Sequence, residues 1–85
     1  MRKFASGDII QHFKRETADQ SSMQYLYEYI GVAMHSETRD RMIVYRALYG
    51  EKGLFVRPYE MFMEEVDHEK YPEIRQKYRF EKTLK

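Results

Sequence analysis

Apolar runs broken by short polar turns dominate the chain, and most of them alternate with a period of two. Residues 8–14, with Ile9, Ile10 and Phe13, read as a first short strand, and the polar stretch 15–22 reads as a loop. Residues 23–34 are the longest strand candidate. Tyr25, Tyr27, Tyr29, Gly31 and Ala33 fall on one of its faces, and Leu26, Glu28, Ile30, Val32 and Met34 on the other. Both faces are largely apolar, so alternation does not choose the inward one. A strand this long in a small protein needs a bend, and Gly31 is the natural place for it.

After a polar connection at 36–41, residues 42–49 resume a β-rich run. Arg46 suggests that its own face is wetted, which assigns Ile43, Tyr45 and Ala47 to the inside. Gly50-Glu51-Lys52-Gly53 is a turn with two glycines available for positive φ, and residues 54–57 return as the second strand of a hairpin. Pro58 has no N–H to donate and ends that ladder. Residues 59–63 suit one helical turn and 64–67 a last short strand. Tyr71-Pro72-Glu73 reads as a helix start, yet Tyr78, Phe80 and Lys82 alternate like a strand, so both readings of the tail stay open. The expected fold is mainly β: a small SH3-like barrel of about five strands, whose closure would leave no exposed edge. Residues 1–69 form the β-domain, and 70–85 a charged C-terminal extension that is helical on one of the two readings.

Composition narrows the function classes. A chain of 85 residues makes one domain, and at that size only about 60% of the unfolded surface is buried. Cysteine is absent, which excludes disulfides, thiol catalysis and cysteine zinc sites. No apolar run suits a signal peptide or approaches a membrane span, and the expectation is a cytoplasmic protein without membrane contact. Net charge is only +1, but it is unevenly spread. Glu60, Glu64, Glu65, Asp67 and Glu69 form an acidic run, and from Lys70 onward basic residues prevail. A basic tail is a possible contact for nucleic acid, although the plainer reading pairs it with the acidic run before it.

Several strings have a specific resemblance. His12-Phe13-Lys14, the stretch from Gly31 to Thr38, the stretch from Val44 to Gly50, and Val56-Arg57-Pro58 with Met61-Phe62 together resemble the family of bacterial proteins catalogued as domain of unknown function 1653 (DUF1653). The resemblance runs from about Gly7 to Asp67, and the segment from Tyr71 to Phe80 is similar to a tail on some relatives. It implies a small bacterial domain without an assigned activity and carries over no catalytic residue.

Two constellations carry the candidate chemistry. In His35-Ser36-Glu37, a His-x-Glu pair has the residue types of a metal site with a proton-moving carboxylate. The cysteine ligands of zinc deaminases are missing, and only His12 offers a third ligand from elsewhere in the chain. The plainer reading has His35 closing a turn by hydrogen bonds to backbone. Tyr45, Arg46, Tyr49, Phe55 and Arg57 lie on the two arms of the hairpin. Their rings offer stacking platforms and their guanidinium groups bidentate clamps for carboxylate or phosphate. The plainer reading puts the rings in a core that lacks tryptophan. Gly50-x-x-Gly53 is a hairpin turn and not a nucleic-acid clamp, because strands flank it.

The expected function is therefore a non-enzymatic binding module for a peptide, a protein or nucleic acid, without metal or cofactor, as a monomer or weak homodimer. The ligand-binding candidates are His35, Glu37, Tyr45, Arg46, Tyr49, Phe55 and Arg57. The alternative is a small metal-dependent hydrolase centred on His35 and Glu37.

Overall fold

The computed structural model describes residues 3–83. Among them, strands β1 (Ile9–His12), β2 (Leu26–Met34), β3 (Arg41–Ala47), β4 (Leu54–Pro58) and β5 (Phe80–Lys82) form one antiparallel sheet in the order β4-β3-β2-β1-β5. A 3-10 helix, Phe13–Thr17, follows β1, and one helical turn, α1 (Tyr59–Met63), follows β4.

The fold is mainly β, with the expected five strands and the helical turn at 59–63. The sheet is open, however, and does not form the closed barrel anticipated from the sequence. Strands β4 and β5 are its two edges. They approach through side chains, with the Arg57 guanidinium 5.6 Å from the centre of the Phe80 ring, and share no ladder. Phe62 of α1 occupies the space between them, stacked 4.1 Å from Phe80 at 5°. Pro58, at the end of β4, has no N–H with which to extend pairing.

The register explains which faces are buried. Tyr27 pairs with Ala47 and Tyr29 with Tyr45, so the core side of β3 is Ile43, Tyr45 and Ala47, as its alternation predicts. A register shift between Tyr29 and Gly31 marks the expected irregularity. It also exchanges the faces of β2. Beyond it Gly31 pairs with Val44 and Ala33 with Met42 on the outer side, while Val32 and Met34 turn to the core side. Val32 and Met34 nevertheless stay 52% and 56% exposed, because they lie beyond the cover of the core. In the hairpin turn Gly50 (φ +61°) and Lys52 (φ +57°) take the left-handed conformation, whereas Gly53 does not.

Ile10, Ile43, Phe62 and Phe80 are the fully buried side chains of the main core. Burying each contributes roughly 1.5–3 kcal/mol. Tyr27 and Tyr45 meet Phe80 edge-on, and Tyr45 also meets Phe62. A second cluster joins Phe13, Val66 and Ile74, with Tyr71 packed against it.

One local expectation differs, and of the two open readings of the tail the strand is the one observed. The strand sought at 64–67 shrinks to a single bridge, Glu65 to Tyr78, flanked by backbone bonds from Val66 to Lys77 and from Arg79 to Glu64. The tail contributes β5 and not a helix. Its backbone donors are already engaged: the Glu16 carboxylate accepts the N–H groups of Arg75 and Gln76, and the Gln76 side-chain amide donates to the carbonyls of Gln11 and Tyr78. These contacts hold 70–79 as turns against the 3-10 helix. No helix among the described residues is long and apolar enough to cross a membrane.

Candidate functional site: a cationic cleft between the sheet edges

Beside the Phe62–Phe80 stack a cleft of about 330 Å³ lies between the end of β1 with the 3-10 helix, Arg57 of β4, and the segment 67–79 that leads into β5. His12 sits at its base, at the end of β1 and the start of the 3-10 helix. Its Nδ1 accepts the Lys14 backbone N–H at 3.1 Å. That bond assigns the proton of the neutral ring to Nε2. Nε2 meets no hydrogen-bond partner among the described residues. The ring is packed 4.3 Å from Phe13 and edge-on to Phe80 at 5.0 Å. Burial, and then the charges of Arg57, Lys14 and Arg79, push its pKa down from 6.5 to about 4. At neutral pH His12 is therefore an uncharged donor surrounded by cations.

The cations come from three parts of the chain. Arg57 reaches in from β4, where its Nε donates to the Tyr45 hydroxyl at 3.3 Å. Lys14 comes from the 3-10 helix, and Lys70 and Arg79 come from the segment between α1 and β5. Arg79 pairs with Glu64 at 3.3 Å. Lys14, Arg57 and Lys70 have no carboxylate partner among the described residues. Asp67 also lines the cleft, but its Oδ1 is occupied by the N–H groups of Glu69 and Lys70. Phe13 and Tyr71, with ring centres 4.9 Å apart, complete the wall. Such a cleft can bind a negative group through a bidentate arginine and a directed N–H.

The residues expected from sequence divide into four places. Tyr45, Phe55 and Arg57 lie together: Phe55 is directly opposite Tyr45 on the ladder, with ring centres 5.9 Å apart, and Tyr45 bonds Arg57. Arg46 pairs with Glu28 and Leu54 on the outer face, away from them. Tyr49 turns to the sheet's other arm, where its hydroxyl lies 2.8 Å from that of Tyr27. Burial, reinforced by that bond, raises the Tyr27 pKa well above its ordinary value. His35 and Glu37 occupy an exposed turn beyond the far end of β2. There the His35 Nδ1 accepts the N–H groups of Glu37 and Thr38. β2 has nine residues, so at about 3.3 Å each the turn lies roughly 30 Å of strand away from His12. No group of three or more His, Asp or Glu side chains suited to a metal gathers among the described residues.

Lys14 and Tyr71 are not among the sequence candidates; His12 enters there only as a third metal ligand for His35 and Glu37, which lie at the other end of β2, and Lys70 and Arg79 only as parts of the basic tail. His12 and Lys14 carried one visible signal, as part of His12-Phe13-Lys14. Nothing local connects them with Arg57 or with the basic tail, because the cleft exists only once β5 pairs with β1.

Residues 8–82 match the family described as Protein of unknown function (DUF1653), and the chain belongs to that family. The match continues past Asp67 through the turns and into β5, so it covers all the elements that line the cleft. No curated protein and no solved structure matches the chain.

Proposed function

We propose that this DUF1653 domain is a non-enzymatic binding module that holds an anionic group of its partner in the His12–Arg57 cleft. The observation that carries this reading is the convergence of Lys14, Arg57 and Lys70, none matched by a described carboxylate, around the free Nε2–H of a neutral histidine. Clustered cations repel one another and raise the free energy of the empty cleft, and an anion relieves that repulsion. Arg57 is also oriented in advance, by Tyr45 and by the Phe80 ring, so little side-chain freedom is lost on binding. On this reading the hairpin contributes Tyr45 and Arg57, with the exposed Phe55 beside them as a further apolar contact.

Titrating isotope-labelled protein with sulfate and with citrate tests this. Saturable shifts in the signals of the His12 ring, Arg57 and Tyr71 are expected with at least one of them. Arg57→Ala should weaken that binding by about 10- to 100-fold, in line with the loss of a charge-assisted hydrogen bond. If neither anion produces a saturable shift at these residues, the reading fails.

A further inference from the structure

The charge and shape of the cleft go further than "anion". Three cations without carboxylate partners among the described residues face one carboxylate, Asp67, while Arg79 is matched by Glu64. Two positive charges remain. A carboxylate or a phosphodiester would neutralise one of them, but a phosphate monoester, with a second pKa of about 6, carries close to two negative charges at neutral pH. The cleft is also larger than a phosphate needs. At about 330 Å³ it falls at the lower end of the range of small-molecule pockets, roughly 300–1,000 Å³. The remaining wall is the ring of the half-buried Tyr71, backed by Phe13. The exposed Lys70 ammonium lies over that ring, 5.6 Å from its centre, so a flat group meets Tyr71 by taking the place of the Lys70 side chain, while Lys14 stands exposed at the rim.

Building on the anion-binding reading above, we propose that the cleft is a nucleotide site for a terminal 5′-phosphate. The phosphate accepts from His12 Nε2–H and the Arg57 guanidinium, and the nucleoside leans on Tyr71. The ligand is a 5′-mononucleotide or the 5′-phosphorylated end of a strand, which share this chemistry. A phosphoserine side chain has no flat group for Tyr71 to meet, so the observations favour a nucleotide over it, and a phosphotyrosine peptide, which has one, is the competitor in the test.

The test is calorimetric and NMR titration of the full chain at pH 7.5. The probes are adenosine 5′-monophosphate, adenosine, adenosine 3′,5′-cyclic monophosphate and sulfate. The 5′-monophosphate is expected to bind at least tenfold more tightly than adenosine, than the cyclic diester and than sulfate. His12→Phe keeps a ring in place and removes the donor, and should weaken binding of the monophosphate about tenfold. Tyr71→Leu should bring its affinity down to that of sulfate, with folding of both variants checked by their amide spectra. Short oligonucleotides with a 5′-phosphate or a 5′-hydroxyl separate the sources. A preference for the phosphorylated strand identifies a strand end, and equal weak binding of both identifies the free nucleotide. Equal affinity for the monophosphate and the cyclic diester would overturn the proposal, as would tighter binding of a phosphotyrosine peptide. If sulfate binds and the nucleotide gains nothing over it, the nucleotide assignment falls while anion binding stands. If no probe binds, both fall.

Discussion

His12 and His35 use the same local device at opposite ends of β2. In each, Nδ1 accepts the backbone N–H two residues further on, from Lys14 in one case and from Glu37 in the other, at 3.1 Å in both. Their surroundings differ. His12 lies against Phe13 and Phe80, among three cations, with its pKa pushed down to about 4. His35 sits in an exposed turn closed by its own backbone: its N–H donates to the Asp40 carbonyl, and its carbonyl accepts from Arg39, whose φ is +68°. A histidine that bonds its own backbone is thus a local feature in both places. What turns one of them into a site is packing by residues up to 68 positions away, since His12 pairs with Phe80.

The largest effect expected from breaking this contrast is at Phe80. It is 1% exposed, stacks on Phe62 and walls the His12 ring. Phe80→Ala should cost about 3–5 kcal/mol of stability by urea denaturation. Val32→Ala, near the His35 end and half exposed, should cost about 0.5 kcal/mol or less. Equal costs would show that the two ends of β2 are equally supported and would remove the basis of the comparison.

The next effect is at Glu16, which fastens the segment carrying Lys70, Tyr71 and Arg79. Its carboxylate accepts the Gln76 N–H at 2.6 Å and the Arg75 N–H at 3.0 Å. Glu16→Gln retains an acceptor but loses the charge, and is expected to cost about 1–2 kcal/mol. Amide exchange should quicken at Gln76 and stay unchanged at Val44. Unchanged exchange at Gln76 would mean that the segment is held by its apolar contacts alone.

How much of this was legible in the sequence depends on the range over which each feature is determined. The hairpin from Arg41 to Pro58, the turn at Gly50, the irregularity near Gly31 and the helical turn after Pro58 follow from alternation and from residues with restricted backbones, which act over a few positions. The exchange of faces in β2 was not legible, because an extra residue leaves the composition of both faces apolar. The tail was undecided for a similar reason. Pro72 favours a helix start, and only the contacts of Glu16 and Gln76 with a distant segment set the outcome. For the site, Arg57 and Tyr45 were visible as an aromatic and a cation on one hairpin face. The sharper string, His35-Ser36-Glu37, has adjacent polar residues, and adjacency is what a turn requires. The cleft collects residues from four separate stretches, 12–14, 57, 67–71 and 79, and no spacing rule connects them.

The acid–base difference gives a sharper test. The folded pKa of His12 is about 4, below the 6.5 of an unperturbed ring. Between those values the unfolded chain binds a proton that the folded chain does not. The contribution of His12 to stability is therefore fully present above pH 6.5 and is lost as pH falls from 6.5 to 4, below which both states are protonated. His12→Phe should remove this part of the pH dependence of stability. Arg57→Ala should raise the ring's titration midpoint, followed by NMR, because it removes the largest of the neighbouring charges. A midpoint near 6.5 in the unaltered protein would mean that the ring is neither buried nor crowded by cations in solution.

The smallest effect belongs to His35. Its ring accepts two N–H groups, from Glu37 and Thr38, but the turn is exposed and water can replace the ring as their partner. His35→Ala should cost about 0.5 kcal/mol or less in urea denaturation and leave sulfate binding unchanged. Its amide perturbations should end within the turn, at 35–40. A loss of anion binding in this variant, with the fold intact, would be the informative failure. β2 is continuous from Leu26 to Met34, so a perturbation at one end has a rigid route to the other. The exposed turn would then act on the cleft through the strand, and the two histidines would belong to one site despite the length of sheet between them.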